Sequence, residues 1–199
     1  MGAPVTRVTV HRMLDRSHSG QPRRAAGLGP TLLGVTGFDD LMAANRRYAE
    51  DFTLTDFDGI AHAGVAIVTC MDSRIDPLRM VGLEPGDAKI LRNPGGRVTD
   101  AALVALVLGV SLLNVNRILV VQHTRCAMAS ASEAELQALV SERLDRDASW
   151  LSIGAITDQQ QALRADVRRV RSHPLMPAEV DVAGFLYDVD TGLLGEPVG

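Results

Sequence analysis

Cys70-Met71-Asp72-Ser73-Arg74 and His123-Thr124-Arg125-Cys126 contain both cysteines of this 199-residue chain and one of its five histidines. Two thiolates and one imidazole make a zinc set, soft enough to hold the metal and one ligand short of a closed tetrahedron. Water would take the fourth position, which separates a catalytic zinc site from a structural one closed by four protein ligands. Asp72 and Arg74 follow the first cysteine closely. Alone they would read as a turn or helix cap and a surface ion pair of little value. Beside a metal ligand the reading changes, because a buried carboxylate needs a cation to be tolerable.

Each half is weak by itself. A cysteine ending a buried strand is often only a small apolar residue, and His-x-x-Cys recurs by chance. The elements around the two halves give them a common address. Residues 64–69 are a short β-branched run without alternation, the mark of a strand buried on both faces of a parallel sheet, and it ends on Cys70. Residues 117–121 form another such strand that runs into Gln122 and His123. In open α/β sheets ligands gather outside the carboxyl ends of the strands, so both motifs are expected to face one crevice.

The remaining pattern alternates strand and helix. Phe38, Leu41, Met42, Asn45 and Tyr48 recur at helical spacing and predict an amphipathic helix to about Asp51. A short helix over 77–81, turn chemistry over 84–87 and a second strand near 88–91 follow. Asn93-Pro94-Gly95-Gly96 breaks the chain. Thr99 or Asp100 can cap the next helix, which carries Leu103, Leu106, Val107, Val110 and Leu112 or Leu113 on its apolar side. Helices are predicted over 133–144 and 158–170, an irregular connection over 150–156, and a last strand over 180–189 before a Gly-rich tail. The fold class is α/β: a mostly parallel central sheet flanked by helices in a single domain, 37–199.

Cys70-x-Asp72-x-Arg74 followed about fifty residues later by His123-x-x-Cys126 resembles the signature of β-class carbonic anhydrases. Arg92-Asn93-x-Gly95-Gly96 and Val98-Thr99-Asp100 are also similar to that family, and the resemblance spans 38–189. It implies one Zn²⁺ per chain on Cys70, His123 and Cys126, and reversible hydration of carbon dioxide to bicarbonate and a proton by zinc-bound hydroxide. Two thiolates make zinc a weaker acid than neutral imidazoles would. The resemblance makes Asp72 and Arg74 the catalytic dyad that compensates: Arg74 holds the carboxylate, and Asp72 accepts a hydrogen bond from the zinc-bound oxygen and orients it. In some members the Asp moves onto zinc and closes the site. It further implies a homodimer or higher homo-oligomer with the pocket at the subunit boundary.

Alternatives stay open. Carbonyl sulfide and carbon disulfide are linear and apolar like carbon dioxide, so the same zinc site could serve a hydrolase. In a non-catalytic reading, zinc or a Cys70 to Cys126 disulfide only staples the crevice. Two residues depart from the family's habit: Arg125, where a small or acidic residue is frequent, and Ala127, where Gly is usual and would permit a turn that Ala resists.

Composition bounds the rest. A net charge of −4 gives no basic footprint for nucleic acid. Two cysteines make no disulfide framework and fit a cytoplasmic protein. The longest apolar run, 101–115, falls short of the roughly 18 residues of a membrane span and reads as a buried helix. Residues 1–36 are Arg-rich and aperiodic and are expected to be a disordered extension. Met1-Gly2-Ala3-Pro4-Val5-Thr6 also fits a myristoylation pattern, and the segment a transit peptide. His11, His18, His62 and His173 lack matching partners and are expected to be solvated or structural.

Overall fold

The structure is a computed structural model and describes residues 37–199. The expectations for residues 1–36, with His11 and His18, lie outside it. Residues 59–199 belong to one compact unit and 37–58 to another.

The second unit is built on one helix, α1 (Asp39–Glu50). Asp39 and Asp40 in its first turn and Arg47 in its last complement the helix dipole. Phe38, Leu41, Met42 and Tyr48 recur along it as predicted, and all four are exposed.

The larger unit is a four-stranded parallel sheet in the order β2-β1-β3-β4. Its strands are β1 (Val65–Cys70), β2 (Ala88–Asn93), β3 (Arg117–His123) and β4 (Asp181–Tyr187). All six residues of β1 are buried, as expected of a central strand with no polar alternation. Helices α2 (Asp100–Leu112), α3 (Glu133–Leu144) and α4 (Gln159–Arg171) complete it. Three of their starts carry side-chain caps. Thr99 Oγ1 accepts from the Ala102 amide, Ser132 and Glu135 form a capping box, and Asp158 accepts from the Gln161 amide.

Leu103 and Leu106 of α2 and Leu163, Val167 and Val170 of α4 pack on Ala66, Val68, Ile118, Val120 and Val182, on one face of the sheet. On the other face Val65, Ile67 and Val121 meet Met80, Val81, Leu83, Phe185 and Leu194. Each fully buried Val, Leu or Ile contributes roughly 1.5–3 kcal/mol of burial free energy, so the two layers pin the strand ends.

Several boundaries differ from expectation. Strand β2 runs on to Asn93 and β3 to His123, because parallel pairing to their neighbours continues through Cys70↔Asn93 and His123↔Tyr187. Residues 77–81 yield only a 3₁₀ turn, Arg79–Val81, stopped at Gly82 in the left-handed conformation. The last strand ends at Tyr187, where Asp188 starts a turn: its amide donates to the Leu193 carbonyl, and the Gly192 amide donates to the Asp188 carbonyl. The segment read as a tail therefore folds back, bridging Tyr187 to Leu194 and Gly184 to Val198 antiparallel to β4.

No helix among the described residues is long and apolar enough to cross a membrane.

Candidate metal centre

Parallel pairing aligns Thr69 with Val121, so Cys70 and His123 leave the carboxyl ends of neighbouring strands side by side. The chain then turns sharply through Arg125, whose φ of 55° lies in the left-handed region, and Cys126 comes back against them. Ligand atoms of Cys70, His123 and Cys126 all lie within 4.8 Å of one another, and all three residues are buried. This trio could hold a metal ion. The turn that Gly would ease at Ala127 falls on Arg125 instead; Ala127 begins a 3₁₀ turn, Ala127–Ala129, without positive φ.

The donor set suits a soft divalent metal. His123 Nδ1 lies 2.9 Å from the Thr124 carbonyl oxygen, so the neutral ring places its proton there and leaves a lone pair on Nε2. That Nε2 is fully buried with no hydrogen-bond partner, a costly state unless the nitrogen has a ligand. Cys70 and Cys126 are free thiols. The Cys70 thiol is pulled down to about 4, chiefly by its hydrogen bond with Cys126, opposed by desolvation and aided by His123 and the backbone amides of Asp72 and Gly95. Cys126 is pushed up by that same bond and by burial. Without a metal the pair thus holds one proton between two sulfurs, an arrangement a divalent cation would replace.

Around the trio the backbone is braced by side chains. Arg92 donates to the carbonyls of Cys70 at 3.0 Å, Asp72 at 2.6 Å and Ile75 at 3.2 Å, using its planar fork to fix the loop after β1. Asn93 closes the Pro94–Gly96 turn by bonding the Arg97 backbone in both directions, at 2.7 and 2.8 Å. Arg97 in turn forms a two-bond pair with buried Asp166 of α4, at 2.6 and 3.2 Å. Gln159 donates to the His123 carbonyl at 2.8 Å. Apart from the Asn93–Arg97 bonds, these partnerships join residues at least 17 apart in the chain and have no local sequence signal.

Gly96 shows how tight the packing is. At φ 65° a Cβ would sit 2.7 Å from the Val121 carbonyl oxygen and 2.9 Å from the Cys70 amide nitrogen, both backbone atoms that cannot move aside. Gly96→Ala is therefore expected to cost roughly 2–4 kcal/mol of stability, measurable as a lower denaturation midpoint.

Asp72 and Arg74 stand at the edge of this pocket. Arg74 Nε and Nη2 donate to Asp72 Oδ1 and Oδ2 at 2.9 and 2.7 Å, a bidentate pair, and the Arg74 amide donates to Oδ1 at 2.9 Å. These bonds, the side-chain one first, hold the Asp72 carboxyl down at about 2 against partial desolvation. The same pairing raises Arg74. Asp72 Oδ2 lies 3.8 Å from His123 Nε2, so the carboxylate reaches the trio while tied to its arginine.

A profile of the carbonic anhydrase family matches residues 65–194, which include all five of these side chains. The chain belongs to the β-class carbonic anhydrase family. Over 162 residues it is 31% identical to "Beta-carbonic anhydrase 1" of Mycobacterium tuberculosis, covering 81% of this chain and 98% of that protein. The crystal structure of carbonic anhydrase from Streptococcus mutans superposes with a TM-score of 0.75 at 35% identity, covering 83% and 99% of the two chains. The family also holds other chemistry nearby: a carbon disulfide hydrolase of an Acidianus strain is 30% identical over 173 residues, covering 74% of this chain and 84% of its own.

Of the other described histidines, the His173 ring accepts a local bond from the Leu175 amide, consistent with a structural role.

Proposed function

We propose that this protein hydrates carbon dioxide reversibly to bicarbonate and a proton, at a zinc ion held by Cys70, His123 and Cys126. The observation that carries the reading is the convergence of that buried trio with the Asp72–Arg74 pair 3.8 Å away. Zinc, when bound, supplies the Lewis acidity that lets water ionise near neutral pH.

The chain's own groups do the positioning. His123 offers Nε2 because its Nδ1 proton is engaged by the Thr124 carbonyl. Asp72, ionised and held by Arg74, can only accept hydrogen bonds, so it would accept one from the O–H of the nucleophile and turn a lone pair toward the substrate carbon. Ile75, Met80, Met128 and Tyr187 pack around the two cysteines, a setting suited to a small linear apolar substrate.

Carbon disulfide or carbonyl sulfide hydrolysis is a second reading, favoured by the named Acidianus relative. Stopped-flow hydration and sulfide release, measured side by side on the zinc-loaded protein, separate the two. Hydration is expected to exceed sulfide release by at least about a hundredfold in kcat/KM, ~2.7 kcal/mol of barrier. The reverse ratio would transfer the assignment to the hydrolase.

The assembly is expected to be a homodimer or larger. Helix α2 is apolar nearly all round and leaves Val104, Leu108 and Leu112, spaced by four, exposed as one stripe. Light scattering on the same preparation reads the mass, and a stable active monomer would contradict this.

A further inference from the structure

Arg125 joins the Asp72–Arg74 pair to the turn beyond β4. Its carbonyl accepts a bond from Arg74 Nη2 at 3.3 Å, and its guanidinium pairs with the Asp190 carboxylate. Asp190 is itself held in place. Its amide donates to Asp188 Oδ1 at 2.8 Å, and the neighbouring Val189 amide donates to Thr124 Oγ1 at 3.1 Å. Arg74 also feels Asp190, whose negative charge is among the attractions that keep the guanidinium protonated.

Two arginines and two carboxylates thus share one rim. Arg74 Nη2 is the junction, 2.7 Å from Asp72 and within the field of Asp190. A guanidinium fork serves one carboxylate bidentately, so an unpaired Asp190 would compete with Asp72 for it.

We propose that Arg125 is a positioning residue that occupies Asp190 and thereby keeps Arg74 wholly on Asp72. This rests on the reading of Asp72 as the group that orients the nucleophile. Arg125 and Asp190 are 40% and 61% exposed in their side chains, so their pairing adds little to folding stability. What it decides is which carboxylate Arg74 holds, and that gives the pair a signature distinct from a structural role.

The test compares zinc-loaded Arg125→Asn, Arg125→Lys, Asp190→Asn and the Arg125→Asn/Asp190→Asn double variant with the parent. Asn tolerates the left-handed backbone at this position, and Arg125→Gly replaces it in the comparison should that variant fold poorly. Two quantities are read: kcat and KM for hydration, and the rate of zinc loss to excess chelator. Arg125→Asn is expected to lose roughly tenfold in kcat with KM within about twofold. Its zinc loss should slow severalfold, because an Asp72 released from Arg74 can join the ligands. Adding Asp190→Asn removes the competitor and should bring both quantities back to within about threefold of the parent. Arg125→Lys keeps a cation and should stay near it.

A double variant no better than Arg125→Asn overturns the proposal, and so does an Arg125→Asn indistinguishable from the parent in both readouts. If the parent turns over none of the three substrates, the catalytic reading fails separately. Zinc loss then decides alone: slowed in Arg125→Asn and restored in the double variant supports the proposal, and unchanged rates refute it.

Discussion

Cys126→Ala is expected to remove metal and activity together while leaving the fold in place. Zinc content, measured after gel filtration, should fall from about one per chain to below about a tenth, and hydration to background. The replacement deletes one buried sulfur from a residue that only caps a 3₁₀ turn, so far-ultraviolet circular dichroism should be unchanged. The loading reaction has a proton signature as well. Because the Cys70–Cys126 hydrogen bond lowers one thiol and raises the other, the metal-free pair shares one proton near neutral pH. Zinc binding should release about one proton per metal, and affinity should weaken as pH falls. A Cys126→Ala variant that keeps full zinc and full activity would remove this cysteine from the site.

Asp72→Asn should separate metal binding from catalysis. The amide is nearly isosteric, yet it can donate as well as accept and carries no charge for Arg74, so the nucleophile loses its fixed orientation. Hydration is expected to fall roughly a hundredfold or more, with zinc still at about one per chain. Unchanged activity, or none in either protein, would favour a zinc staple without catalysis. The variant also has a stability signature. Asp72 is depressed from 3.8 to about 2 in the folded chain, so the stabilisation from its pairing is fully present above the unfolded value and is lost as pH falls through about 2. Acid unfolding of the parent between roughly pH 4 and 2 should therefore carry a component that Asp72→Asn lacks.

How much of this was legible beforehand follows from the range of each interaction. Strands β1 and β3 could be read because unbroken β-branched runs have few other uses, and the helices because their caps and apolar spacing are local. The ends of β2 and β3 were short by two residues each, since pairing with a neighbouring strand, invisible along the chain, extends them. Residues after 189 read as a tail because Gly and Pro hide the return: its two bridges to β4 come from backbone geometry, with no side-chain pattern to announce them. Arg125 stood out by type only. Its left-handed backbone and its pairing with Asp190 belong to the turn and to that hidden return.

Residue type and spacing made the donor set readable along the chain: two thiols, one imidazole and a carboxylate with an arginine nearby, each at or just past the end of a strand whose pattern is encoded in neighbouring residues. Only packing brings the two sulfurs and the imidazole within 4.8 Å of one another, leaves His123 Nε2 buried without a hydrogen-bond partner, and lets Arg92, Arg97, Asp166 and Gln159 brace the backbone around them. The reason is the length scale of the forces. Strand and helix propensity acts over a few neighbouring residues, whereas a contact such as the Arg97–Asp166 pair, 69 residues apart in the chain, exists only after the sheet has brought its partners together.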